Sequence, residues 1–525
     1  MKTRNILLSI AALAILASCT GNFTEISRDH YNAHEADMAE DNLKIGSMFQ
    51  QLERSVIIYR DGTYLDSDYQ IAYNLTAETW CGYMGSTHTS ANSVQNSGWN
   101  VYDQYHRRLF TVKYEYGMAA FTNIKKECEK NHLPLPLALA TVVKVATMHQ
   151  VTDYYGPIAY SQTGSVSGNL YDSQEEVYKQ FFEELDEAIE TLEPYAESGT
   201  TILEDYDLVY DGNVTKWVQF ANSLRLRLAM RIVYANETLA RTEAEKSIAS
   251  TIGVVTANSG NAVVSGVDHH PLYEINVNFN DGDTQMGASM DCYLNGYNDP
   301  RKFLIAKPAE GDGQLHGVRA GIDPANWNDY KNSSGKVSAP NATKYKICWL
   351  NAAEVAFLRA EGAVRGWNMG GTAKDFYEQG IALSFEEWGA EGATAYIANS
   401  TAQPAAFTDN VGSANASMPS SVTIAWNEAG TEEQKLEKIG TQKWIALFPN
   451  GCEGWAEYRR LHYPVLIQPA NNFSNGVVNG ARQMRRVPYP LSEASDNPDG
   501  YASGLAALGG EDNAGTRLWW DQKPF

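Results

Sequence analysis

Apolar positions along the chain recur mostly at helical spacing. Ser173-Gln174-Glu175-Glu176 has the form of a capping box. The stripe Val177, Phe181, Leu185, Ile189 follows it at four-residue steps, with Asp186, Glu187 and Glu190 on the other face. A second helix begins near Asn213, with Trp217, Phe220, Ala221, Leu224 and Leu228 on one side. Arg225, Arg227 and Arg231 fall in its C-terminal half, where the helix dipole favours cations. Pro134 and Pro136 open a third helix over 137–150. The segment 351–388 predicts a hairpin: an Ala-rich helix from Asn351 to Trp367, a break at Gly366, Gly370 and Gly371, then a helix capped by Thr372 and Asp375. The second helix carries Phe376, Ile381, Phe385 and Trp388. Small residues facing aromatics across a tight turn suit stacked hairpins of tetratricopeptide size. Segments 137–192 and 213–251 read as further hairpins, and Thr431 to Gln434 caps a last long helix through Leu447. The predicted fold class is therefore all-α, with tetratricopeptide-like helical hairpins.

Between the helices lie Gly-, Asn-, Ser- and Asp-rich stretches at 81–100, 258–345 and 390–428. Loops this long are usually functional or carry small local structure. They are the expected home of any binding surface.

The N-terminus follows a different pattern. Lys2 and Arg4 precede an apolar run from Ile6 to Ala17, shorter than the roughly 18 residues a spanning helix needs. The run ends Leu16-Ala17-Ser18-Cys19, a lipobox in which the Cys19 thiol takes a diacylglycerol. Residues 1–18 are then a lipoprotein signal peptide, 19–45 the acylated Cys and a polar tether, and 46–525 a single helical domain.

The chain has 525 residues, 63 acidic against 41 basic, for a formal charge of −22. Losing Lys2 and Arg4 with the signal peptide makes it −24. Such a surface repels phosphate backbones, so no nucleic-acid partner is expected. Cys19, Cys81, Cys128, Cys292, Cys348 and Cys452 are scattered without metal-ligand spacing, so free thiols are expected and no zinc site.

Catalytic signatures are missing: there is no GxSxG, HExxH or Walker loop. His269-His270 has no third metal ligand at hand, and Asn278 to Asp283 resembles a calcium loop but has Ser289 where the bidentate Glu belongs. No cofactor and no metal are expected. Glu183-Glu184 and Glu386-Glu387 read as solvated helix faces rather than a glycosidase pair. The positive signal is aromatic residues mixed with amides in the insertions: Trp80, Tyr83, Trp99, Asn100, Tyr102 and Asp103 in one, Tyr293, Asn295, Tyr297, Asn298, Trp327, Asn328 and Tyr330 in another. Aromatic faces stack on pyranose C–H faces, and amides hydrogen-bond ring hydroxyls. The candidate ligand-binding residues are Trp80, Tyr83, Trp99, Asn100, Tyr293, Tyr297, Trp327, Asn328 and Tyr330. The competing expectation is that many of these aromatics staple their own loops.

Several blocks together resemble the SusD/RagB-like outer-membrane lipoproteins, in the branch known for starch binding. They are NVTKWVQFANSLRLRLAMRI (213–232), VTDYYGPIAYS (151–161), NDPR (298–301), TQKWIALFPNGCEGWAEYRRLHYPVL (441–466), RRVPYP (485–490) and the closing Trp519-Trp520-Asp521. The resemblance implies four tetratricopeptide-type hairpins in one α domain, and a lipid anchor in the outer membrane facing outward. It implies a SusC-like TonB-dependent β-barrel transporter as partner, with oligosaccharides, or in some members peptides, as the ligand handed over. It implies no chemistry on that ligand. A lipid-anchored glycosidase is the remaining alternative.

Overall fold

The computed structural model describes residues 43–59, 67–88, 90–163, 169–279 and 282–525. The signal peptide, Cys19 and the tether up to residue 42 lie outside these, as do Asn280 and Asp281 of the calcium-loop lookalike. Helix α1 (Leu43–Glu53) starts inside the predicted tether. Helix α2 (Asp103–Val112) passes through a π-helical stretch, Lys113–Met118, into α3 (Ala119–Asn131). Then come α4 (Pro134–Tyr155), α5 (Gln174–Ala196), α6 (Val214–Arg231) and α7 (Glu237–Ala249). After the large insertion follow α8 (Ala352–Val364), α9 (Ala373–Trp388), α10 (Glu432–Leu447), α11 (Gly451–Leu461) and α12 (Pro498–Leu508). Shorter helices decorate the insertions. Among the described residues no helix is long and apolar enough to cross a membrane.

Sequence-local chemistry sets the helix starts. Ser173, Asn213, Asn351 and Thr372 each accept a hydrogen bond from the backbone N–H three residues on. At Thr431 both halves of the capping box form with Gln434. The helices then pack on one another: α3 on α4, α4 on α5, α5 on α6, α6 on α7, and α8 on α9 and α10, with α10 on α11. The contact of α6 with α8 joins the two halves of the stack. Helix α4 is buried almost continuously from Ala138 to Tyr155, as an all-round apolar helix must be. In the α8–α9 hairpin, Gly380 lies against Phe357: a Cβ there would come within 2.7 Å of the ring. This is the small-against-aromatic packing that the sequence predicts.

The core also holds ionised groups. The arginines of α6 do not sit at a solvated helix end; they are buried. Arg227 makes a bidentate pair with Glu354 of α8 (2.7 and 2.6 Å). Arg231 bridges Glu453 (2.6 Å) and Glu457 (2.7 Å) of α11. Arg460 grips Glu361 of α8 at 2.7 and 2.6 Å, and Lys443 of α10 reaches Glu457 at 2.8 Å. Farther out, Arg301 clasps Asp299 (2.6 Å), and Arg485 clasps Asp521 (2.5 and 2.7 Å). All of these but Glu354 and Glu361 come from the sequence blocks quoted above. In this chain their charges meet as buried pairs, where losing one partner exposes the other to the cost of burial without a partner.

Two insertions are fastened to each other by a short antiparallel ladder, β1 (Met84–Ser86) on β2 (Thr284–Met286), in register Met84 with Met286 and Ser86 with Thr284. Gly85 sits so close to Val318 that a Cβ would approach its carbonyl oxygen to 2.4 Å. All five cysteines after Cys19 are free, and only Cys348 is partly exposed.

Candidate functional site

Three stretches of irregular chain converge on one face. The short helix Ala91–Ser97 packs Val94 into a small cluster with Val318, Ile322, Tyr330 and Val337, against which Trp327 and Val411 lean. A third stretch, 468–475, closes the arrangement through backbone bonds: Ala470 N–H to Ala320 O (2.8 Å), Asn471 N–H to Gly321 O (3.1 Å) and Phe473 N–H to Gly98 O (2.8 Å). The 390–428 insertion is pinned from the other side. The Asp409 carboxylate accepts from the N–H groups of Val411, Gly412 and Ala414 and from the Tyr330 hydroxyl at 2.6 Å. Burial opposes its charge, but these donors outweigh burial and hold its pKa below the usual carboxylate range.

The predicted ligand residues divide on this frame. Trp327 is partly exposed, Asn328 is exposed with its side-chain oxygen accepting from Asn332 at 2.7 Å, and Asn100 is partly exposed with its amide donating to Gln95 Oε1 at 3.0 Å. The others are inside. The Tyr83 hydroxyl donates to Trp444 O (2.6 Å), Tyr293 to Val465 O (3.0 Å), Tyr297 to Val422 O (3.0 Å) and Tyr330 to Asp409. These tyrosines are internal posts that tie the insertions to the scaffold and to one another, and their rings present no platform to the outside. The Trp80 indole lies 4.9 Å from that of Trp455 and donates to Asn96 O, so it too is core. Trp99 is 3% exposed and holds a left-handed backbone, φ 73°. Sequence reading missed the 468–475 stretch, although Asn471-Asn472-Phe473 carries the same mix of amide and aromatic residues as the others.

The carboxylates and histidines set aside from the sequence have definite roles. Glu184 is paired with Lys144 at 2.5 Å and accepts from the Tyr160 hydroxyl, so it is not a free solvated group. Glu386 is exposed, but Glu387 turns into a cleft beside Trp388, Trp349 and Phe448 and accepts from Asn351 (3.0 Å) and Asn261 (3.3 Å). Burial pushes its pKa up to about 7, against smaller opposing pulls from Lys346 and the two amides. His270 caps the turn at Leu272, and burial drops its pKa to about 3, while His269 stacks on Tyr273. Among the described residues no cluster of three potential metal ligands occurs.

The SusD-like family, the SusD and RagB outer membrane lipoproteins, matches residues 25–521. The chain belongs to this family. Solved structures place this SusD-like protein among close neighbours. A chitin-binding SusD homologue from Flavobacterium johnsoniae is 38% identical with a TM-score of 0.86, over 91% of this chain and 98% of that one. A SusD homologue from Bacteroides uniformis ATCC 8492 is 37% identical with a TM-score of 0.83, over 92% and 100%. One from Bacteroides vulgatus ATCC 8482 is 31% identical with a TM-score of 0.84, over 93% and 99%. No curated protein matches the sequence. The tetratricopeptide-like helical architecture expected from the sequence is the one this SusD-like chain has.

Proposed function

We propose that this SusD-like protein is a cell-surface glycan-binding lipoprotein, anchored through Cys19, that captures oligosaccharides and delivers them to a SusC-like TonB-dependent transporter. Its family membership, together with a chitin-binding homologue at 38% identity, carries the reading. The face built by the three converging stretches supplies the means. The exposed part of the Trp327 indole offers a flat apolar surface with a negative quadrupole to the C–H face of a pyranose. Asn328, next to it in the chain and exposed, supplies a donor and an acceptor for ring hydroxyls, and the partly exposed Asn100 is the other amide of the expected site. The platform rests on the Val94 cluster and on the Asp409 turn, so it is presented with little ordering left to do on binding. No bond of the glycan is made or broken. A shallow site of modest affinity suits a ligand that must leave again for the transporter.

The test is binding of the soluble form (residues 20–525) to neutral oligosaccharides, with Trp327→Ala alongside. Loss of one stacking face is expected to weaken binding about tenfold, roughly 1.4 kcal/mol, with the melting temperature unchanged. Unaltered affinity in Trp327→Ala sinks the assignment of the platform. Binding of peptides and of no glycan replaces the ligand class.

A further inference from the structure

Between the insertions lies a small cavity whose walls include Trp80, Trp99, Val318, Leu466, Ser97 and Gln483. It belongs to the same three stretches: Ser97 and Trp99 flank Gly98, which bonds to Phe473, and Val318 lies two residues before the bond at Ala320. The hydrogen-bonding side chains in the wall are engaged, with one exception. Trp80 Nε1 donates to Asn96 O, and Ser97 Oγ donates to Val94 O while accepting from Gly321 N–H. Gln483 is 4% exposed, and its side-chain nitrogen has no hydrogen-bond partner among the described residues. A buried amide donor left unmet is costly, and such groups in folded proteins call for an explanation. Gln483 also holds a left-handed backbone (φ 55°), as Trp99 does across the cavity (φ 73°). Two non-glycine residues in that conformation are retained around one small space.

We propose that this cavity receives the acetamido group of an N-acetylated sugar, with Gln483 as the residue that selects for it. The inference rests on the glycan-capture reading and names the substrate class of the same site. The cavity is small, about 20 Å³, and suits a compact substituent rather than a sugar ring. The faces of Trp80, Trp99, Val318 and Leu466 match a methyl group. The Gln483 Nε2–H is the donor that an acetamido carbonyl oxygen accepts from. The walls carry no charged side chain, which disfavours a carboxylate or sulfate substituent. A bare hydroxyl would leave the apolar wall unfilled.

The experiment compares two neutral ligands of equal length and linkage, a β-1,4-linked N-acetylglucosamine oligomer and the matching β-1,4-glucan, on the wild-type chain and on Gln483→Met. Wild type is expected to prefer the acetylated oligomer by about tenfold or more. In Gln483→Met that preference should fall to within about threefold, while glucan affinity and melting temperature stay put. Because Gln483→Met could disturb its strained turn, Leu466→Phe, which narrows the cavity from a residue outside the Val94 cluster, is measured in parallel and should produce the same selective loss. Equal wild-type affinity for the two oligomers overturns the acetamido assignment and leaves glycan capture standing. Preference retained in both variants overturns the roles of Gln483 and the cavity. Absence of binding to either oligomer, when other glycans do bind, also overturns the assignment, and absence of binding to every glycan overturns both readings.

Discussion

Glu387 shows how one side chain can carry a pH signature for the whole fold. Its folded-state pKa is pushed up to about 7 by burial, from an ordinary 4.5. Between those values the native state binds more protons than the unfolded chain, so its contribution to stability falls as pH rises. Glu387→Gln removes that proton. Its melting temperature relative to wild type should climb from pH 5 to pH 8; a constant difference across that range contradicts the assignment. A second residue-scale test separates posts from platform. Tyr297→Phe deletes the hydroxyl that donates to Val422 O and should cost about 1 kcal/mol of stability with glycan affinity unchanged. At this scale the sequence was only half legible. It marked Trp80, Tyr83, Tyr293, Tyr297 and Tyr330 as ligand candidates because they share loops with amides. Whether an aromatic faces in or out depends on partners remote in the chain, such as Trp455 for Trp80 and Trp444 for Tyr83, and local composition holds no record of them.

Helices, by contrast, announce themselves locally. Ser173, Asn213, Thr372 and Thr431 all cap where the pattern places them, since the bond that starts each helix spans three residues. The Ala-rich α8 facing the aromatic α9 was legible for the same reason, and Gly380→Leu should cost about 1–3 kcal/mol by driving a side chain into Phe357. Sequence periodicity did not reveal that α6 is buried on every side. Its arginines looked like dipole partners at a helix end. They are the centre of an ionic network joining α6, α8, α10 and α11, whose acidic members lie on other helices. Arg231→Met takes from Glu453 its 2.6 Å partner and from Glu457 one of its three cations, and should destabilise the fold by about 3 kcal/mol in chemical denaturation, far more than a surface arginine would. A loss below 1 kcal/mol would show the network to be dispensable. Burial works against the Glu361 charge, yet Arg460 and Arg365 pull its pKa down to about 2. Its share of stability is therefore present above pH 4.5 and is lost as pH falls toward 2.

For the molecule as a whole, the division of labour is between a charged, close-packed stack of hairpins and the irregular chain it displays. The blocks that carry the family resemblance are scaffold: buried ion pairs, caps and turns. They identified the architecture from sequence and said little about the ligand. The proposed site comes instead from stretches whose convergence is set by backbone bonds among 98, 320, 321 and 470–473, which no local pattern encodes. An acidic surface, with a formal charge of −22 over the chain, favours neutral over anionic ligands at long range. The central claim is capture of a glycan without chemistry. Its most direct test is calorimetric titration of residues 20–525 with neutral oligosaccharides, chitin-derived ones included, followed by chromatography of the recovered ligand. The account predicts saturable binding of a glycan that is recovered intact. Binding of peptides alone, or recovery of shortened sugar, would contradict it.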